Sequence, residues 1–148
     1  MSQSVVMIGA TGAVGGHVAR TLVAMPDVER ITLLGRRPVE GIAPEKVTQS
    51  VIDIFDPASY AGHLDGHDAA ICTVGIGQPT KVSREEFVKV DKTAVLAFAE
   101  ACREAGVRHF ELLESVGASP KSRVFYLRIK GELEAGLEEF GFDRLSLF

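Results

Sequence analysis

The sequence predicts a three-layer α/β/α domain built on a doubly wound parallel sheet with strand order 3-2-1-4-5-6. Three observations predict it. Short, nearly all-apolar runs such as Val5-Val6-Met7-Ile8 are what a strand buried on both faces requires. Segments with a helical apolar period alternate with those runs along the chain. A glycine-spaced turn, Gly9 to Gly16, joins the first apolar run to the first helical one.

Val5 to Ile8 is the first strand, and a helix fits Val14 to Met25 with Val14, Val18, Leu22 and Met25 on one stripe. Pro26-Asp27 stops it, because proline cannot continue a helix. Ile31 to Leu34 and Val47 to Ile52 are the second and third strands. Pro38, Gly41 and Pro44 between them leave room for little beyond a loop. Asp56-Pro57 opens a short helix through Leu64, closed by Gly66, and Ala69 to Val74 is the fourth strand. From Arg84 to Glu104 the residues Phe87, Val90, Ala94, Phe98, Ala101 and Ala105 keep one helical period, with Gly106 as the C-terminal cap. Phe110 to Leu113 is the fifth strand, Ser122 to Phe140 a helix, and Arg144 to Phe148 the start of a sixth strand.

With 148 residues the chain forms about one domain, residues 1–148, and the sixth strand breaks off as it begins, which suggests a domain cut short at its C-terminus. The net charge of −4 and the dispersed 16 Lys and Arg provide no basic stripe for nucleic acid. Nothing approaches the roughly 18 continuous apolar residues of a membrane span, and the first residues run straight into Val5-Val6-Met7-Ile8 without the basic segment and long apolar core expected of a signal peptide. Cys72 and Cys102 lie in apolar runs without metal-ligand or disulfide spacing, which points to a reducing, cytoplasmic location. His17, His63, His67 and His109 form no metal-site pattern, so no metal is expected.

The turn Gly9-Ala10-Thr11-Gly12-Ala13-Val14-Gly15 carries the first chemical signal. Gly9 allows the sharp exit from the strand, Gly12 lets a diphosphate approach the backbone, and Gly15 lets helix and strand pack closely. The exposed N–H groups and dipole of the helix start at Ala13 and Val14 favour an anion. Thr11 either adds a hydroxyl to the phosphate or caps the helix. This is the dinucleotide-binding turn of a Rossmann-like fold, and the expected ligand is a nicotinamide cofactor.

The end of the second strand sorts the cofactors. A free 2′-hydroxyl calls for Asp or Glu there, whereas this chain has Gly35-Arg36-Arg37. Two guanidinium groups suit a 2′-phosphate, so NADP(H) is expected ahead of NAD(H). Asp53 and Ile54, at the end of the third strand, are placed to meet the adenine amino group and ring, unless Asp53 is a turn residue. Thr73, Val74 and Gly75 follow the fourth strand and are small enough for the nicotinamide ribose to lie close to backbone.

Tyr126 and Lys130 are one helical turn apart and share a face. A nearby ammonium favours the phenolate of a tyrosine, which makes the pair a candidate general acid/base. Lys130 is also placed to bond the nicotinamide ribose. Ser115, just beyond the fifth strand, is placed to hold a substrate oxygen beside the phenol.

The glycine turn, Leu34-Gly35-Arg36-Arg37, Ser115-Val116-Gly117-Ala118 and Phe125-Tyr126-Leu127-Arg128-Ile129-Lys130-Gly131-Glu132 together resemble the atypical NAD(P)-binding branch of the short-chain dehydrogenase/reductase superfamily. Within it the chain is most similar to the small Tat-interacting tumour-suppressor-like oxidoreductases and their bacterial relatives. The resemblance implies that Gly9, Gly12 and Gly15 form the phosphate turn and that Tyr126 and Lys130 are the active pair. That family often has two serines after strand five, where this chain has Glu114-Ser115. Either Ser115 supplies the hydroxyl or Glu114 has displaced it. The leading expectation is therefore an NADPH-dependent oxidoreductase acting on a small carbonyl or alcohol substrate. The alternatives are a non-catalytic NADP(H)-binding regulator working through a protein partner or as a dimer, and an epimerase or dehydratase using the same groups.

Overall fold

A computed structural model describes residues 2–148. Its strands are β1 (Gln3–Ile8), β2 (Val28–Gly35), β3 (Val47–Val51), β4 (Ala69–Cys72), β5 (His109–Leu112) and β6 (Arg144–Leu147). They form one all-parallel sheet in the order β3-β2-β1-β4-β5-β6, the doubly wound order expected from the sequence. The helices are α1 (Ala13–Ala24), α2 (Arg84–Val88), α3 (Ala94–Glu104) and α4 (Phe125–Glu139).

Strand side chains alternate between the two faces. Val5 and Met7 of β1, with Ile31 and Leu33 of β2, pack with Ala19 and Leu22 of α1. Val6 and Ile8, with Cys72, Phe110 and Leu112, pack with Phe98 of α3 and Leu133 and Leu137 of α4. The central strands β1 and β4 are thus buried on both faces, as a parallel sheet demands, while the edge strands β3 and β6 keep polar residues.

Several boundaries differ from expectation. The buried face of α1 is Gly15, Gly16, Ala19 and Leu22, while Val14 and Met25 are exposed. The helix must come close to β1 at the glycine turn, so Gly15, Gly16 and Ala19 face the sheet there, and of the stripe expected from the sequence only Leu22 and Val18 pack on it. The long helix is interrupted: a π turn, Lys89–Thr93, joins α2 to α3. Its extra residue rotates the register and turns Asp91 inward, leaving Val90 half-buried. The expected short helix after Asp56 is two 3-10 turns, Pro57–Ser59 and Ala61–His63. There the Asp56 carboxylate accepts from Ala58 N, and the Ser59 hydroxyl donates to the carbonyls of Asp53 and Asp56, closing local turns that compete with a helix. The β2–β3 connection carries no helix, and Gln49 ties it down by exchanging two hydrogen bonds with the backbone of Val39. Gly106 follows α3 at φ 88°, the left-handed cap expected there.

Candidate functional site

The glycine turn wraps the C-terminal end of β1. Gly9 has φ 93°, a conformation that L side chains rarely adopt. The Gly12 N–H donates to Gly9 O at 3.1 Å, and Thr73 Oγ1 donates to the same carbonyl at 3.0 Å, joining the turn to the segment after β4. A methyl group at Gly15 would run into Gly9 O, so only glycine lets α1 approach this closely. At Gly12 the nearest obstacle to a methyl group is Gly9 O at 3.4 Å, which leaves the space above the turn nearly open. Gly12 is the N-cap of α1, no side chain caps the helix, and its first turn carries no acidic residue. Thr11 therefore does not cap the helix, and the N–H groups at Ala13 and Val14 begin a helix suited to an anion.

A cleft of about 470 Å³ opens beside this turn and is lined by Gly9, Thr11, Gly12, Arg36, Arg37, Asp53, Ile54, Thr73, Val74 and Gly75, among others. Arg36 and Arg37 are exposed, and among the described residues neither guanidinium is paired with a carboxylate. Asp53 accepts from Phe55 N at 2.8 Å, so one carboxylate oxygen also shapes the local turn. Phe55, which the sequence reading passed over, lies under the Lys89 ammonium at 4.1 Å from its ring centroid and lines the same cleft.

A second cavity of about 270 Å³ continues from the first, since Gly12, Thr73, Val74, Gly75 and Ile76 line both. Ala13, Val14, Gly15, Glu114, Ser115, Tyr126 and Lys130 line the second. Ser115 Oγ and Tyr126 Oη are 2.6 Å apart, a short hydroxyl–phenol hydrogen bond. The Tyr126 ring packs on Phe87, with centroids 5.2 Å apart. Glu114, one residue earlier, faces Lys130 instead, and the hydroxyl beside the phenol is that of Ser115.

Gly131 explains how β5 and α4 bring these groups together. A methyl group there would run into the backbone of Ser119 and Pro120, so glycine lets the loop after β5 lie directly on the helix. Ser119 N then donates to Leu127 O at 3.0 Å, which holds that loop, and Ser115 with it, against α4.

Lys130 is almost fully buried at 4% exposure. Its Nζ lies 3.0 Å from Asp91 Oδ1, 3.6 Å from Glu114 Oε1 and 6.0 Å from the Tyr126 ring centroid. Burial disfavours the ammonium, but the Asp91 carboxylate and its hydrogen bond, with Glu114 and Tyr126 adding, outweigh burial and hold Lys130 above its ordinary pKa. The sequence paired Lys130 with Tyr126 alone; the structure adds Asp91 as its nearest partner. Asp91 Oδ2 also accepts from Ile76 N at 3.0 Å, so one carboxylate fixes both the lysine and the segment after β4. Asp91 was legible only as a charge four residues after Phe87 on a buried stripe, the kind of position that needs a partner.

The residues therefore fit a dinucleotide: an open, anion-ready turn lies between a cationic end and an end with a hydroxyl–phenol pair and a buried lysine. The profile of a family described as NAD(P)H-binding matches residues 9–140. The chain is 38% identical to "Protein HTATIP2" of Rattus norvegicus over 99% of its own length and 61% of that protein's, in line with the resemblance read from the motifs. It is 33% identical to "Protein fmp52, mitochondrial" of Emericella nidulans, over 95% of this chain and 63% of that one. The chain thus spans less than two thirds of these relatives. The expectation of a cytoplasmic location is corrected by them, since fungal relatives carry names that place them in mitochondria, and cysteine usage does not separate two reducing compartments. Among solved structures, that of Citrobacter sp. triphenylmethane reductase complexed with NADP(H) shares the fold at a TM-score of 0.73 and 20% identity, covering 94% of this chain and 46% of that one. The chain belongs to the NAD(P)H-binding family whose profile spans its glycine turn, strands β2 to β5 and its α4 helix.

Proposed function

We propose that the protein is an NADPH-dependent oxidoreductase that moves hydride between the nicotinamide and the carbonyl or alcohol carbon of a small substrate. One observation carries this reading: Ser115 and Tyr126 are hydrogen-bonded at 2.6 Å at one end of a cleft whose other end carries Arg36 and Arg37. The turn from Gly9 to Gly15, with Thr11, Ala13 and Val14, would take the pyrophosphate. Arg36 and Arg37 would take the 2′-phosphate, and Asp53 and Ile54 the adenine. Thr73, Val74, Gly75 and Lys130 would hold the nicotinamide ribose.

When bound, the reduced nicotinamide supplies the hydride. Ser115 orients the carbonyl oxygen, and Tyr126 donates its phenolic proton to that oxygen as the carbon is reduced. The product is the alcohol, and the phenolate left behind takes a proton from solvent. Lys130, held charged by Asp91, stabilises that phenolate. Proton transfer by a positioned side chain is worth about 10²- to 10⁴-fold in rate.

The test is a fluorescence titration of the protein with NADPH and NADH, followed by a screen of carbonyl substrates with the bound reduced cofactor. Saturable NADPH binding with turnover of at least one carbonyl supports the reading. Tight NADPH binding without turnover of any carbonyl or alcohol would replace it with the non-catalytic regulator.

A further inference from the structure

Glu114 follows β5 by two residues and lines the cavity that holds Ser115, Tyr126 and Lys130. Its side chain is 3% exposed, and neither carboxylate oxygen has a hydrogen-bond partner within 3.5 Å, although Lys130 and the backbone of Ser115 lie just beyond. The nearest cation is Lys130 Nζ at 3.6 Å, and that ammonium already sits closer to Asp91, at 3.0 Å. The other groups facing Glu114 bring no second positive charge. They are Glu134 on α4 and Cys72 on β4, whose thiol burial pushes up to about 12, and the Tyr126 phenol lines the same cavity.

Two buried carboxyl groups thus share one ammonium. A second uncompensated charge in such a place is costly, and the group with the poorer contact avoids it by keeping a proton. Burial, opposed by Lys130 and reinforced by Glu134, accordingly raises the Glu114 pKa to about 7. Asp91 and Lys130 neutralise each other at 3.0 Å, which leaves Glu114 as the carboxyl group of this cavity without a charge partner of its own.

We propose that Glu114 selects the redox form of the nicotinamide held in this cavity: its carboxylate favours the oxidised, cationic ring and its neutral acid favours the reduced, uncharged ring. The proposal rests on the cofactor cleft described above. A cation entering a poorly solvated cavity attracts a carboxylate and repels the proton that would neutralise it. Binding of NADP⁺ therefore drives the Glu114 proton into the buffer, and binding of NADPH does not. By linkage the same coupling makes the affinity ratio of the two forms depend on pH.

The experiment is calorimetric titration of the protein with NADP⁺ and with NADPH between about pH 6 and pH 8, in two buffers of different ionisation enthalpy. The ratio of the two affinities is the readout, because the 2′-phosphate titrates alike in both. The ratio should shift toward NADP⁺ by about tenfold across this range, with proton release on NADP⁺ binding. In Glu114→Gln, which keeps the shape and stays neutral, the ratio should be flat. A parent ratio that is constant with pH, or a Gln variant that keeps the parent's slope, overturns the proposal while leaving the cofactor cleft intact. If neither form binds, the reading of the cleft fails and this proposal fails with it. Should the variant not fold, the parent's ratio and proton release decide the matter alone.

Discussion

His67 lies just before β4, near the opposite end of the strands from the cleft. Its Nδ1 donates to Leu64 O and its Nε2 accepts from Thr32 Oγ1, both at 2.8 Å. Burial, partly offset by the Leu64 bond, holds its pKa below the usual histidine value. The folded state therefore binds the proton less well than the unfolded chain. The contribution of His67 is full above about pH 6.5 and declines as pH falls below it. Glu114 works in the opposite sense: its pKa is raised from 4.5 to about 7, so its contribution is full below 4.5 and is lost as pH rises toward 7. Urea unfolding should show the parent losing stability relative to Glu114→Gln between about pH 5 and pH 8. A constant difference would mean that Glu114 does not titrate in the folded protein. Tyr126, Lys130 and Ser115 were legible in the sequence because their spacing is local or motif-bound. The grip of Asp91 on Lys130 was not, because the partners lie on different helices and a π turn aims the carboxylate. Lys130→Met should accordingly lower turnover and weaken NADPH binding together, with Asp91→Asn giving a milder version of both. Turnover loss with unchanged affinity would remove Lys130 from the cofactor.

Helix α1 meets β1 through backbone rather than through large side chains. Gly15 faces Gly9 O directly, whereas a methyl group at Gly16 would meet the flexible end of Arg20 at 3.1 Å. Gly15→Ala should destabilise the fold by about 1–3 kcal/mol, as overpacking does, and weaken cofactor binding. Gly16→Ala should cost little, since the Arg20 side chain can move and alanine is the better helix former. Thermal melts of the two variants check this, and equal losses would contradict the close approach. The glycine spacing told this part of the story in advance. The apolar stripe of α1 did so only in half, because Leu22 and Val18 pack on the sheet while at the glycine turn the strand stands too close for anything larger than Gly15 and Gly16. Periodicity also hid the break between α2 and α3: one inserted residue leaves the overall period almost unchanged while turning Asp91 inward. Farther along, Phe98 of α3 packs edge-on against Tyr60 at 5.7 Å and against Phe110 of β5 at 6.0 Å. Its replacement by Ala should cost about 3–5 kcal/mol, read as a lower urea midpoint with an unchanged slope.

Across the molecule, the C-terminal ends of β1, β2, β4 and β5 line one continuous cleft, cationic at Arg36 and Arg37 and hydroxyl-bearing at Ser115 and Tyr126. That layout follows from the strand order, in which β1 and β4 are neighbours and the two halves of the sheet diverge beside the glycine turn. Alternating apolar runs made the order readable, and apolar strand cores made it insensitive to the missing helix between β2 and β3. Arg36→Ala should weaken NADPH binding by about tenfold to a hundredfold, the loss of one charge-assisted phosphate contact, and leave NADH nearly unchanged. Equal losses for both would place the 2′-phosphate elsewhere. The proton chemistry at the other end is the core of the account, and the most direct measurement is carbonyl reduction by Tyr126→Phe at saturating NADPH. The ring and its packing on Phe87 survive that change, so NADPH affinity should hold while turnover falls by about 10²- to 10⁴-fold. Turnover within about twofold of the parent, well short of any general-acid contribution, would contradict the assignment of Tyr126 as the proton donor.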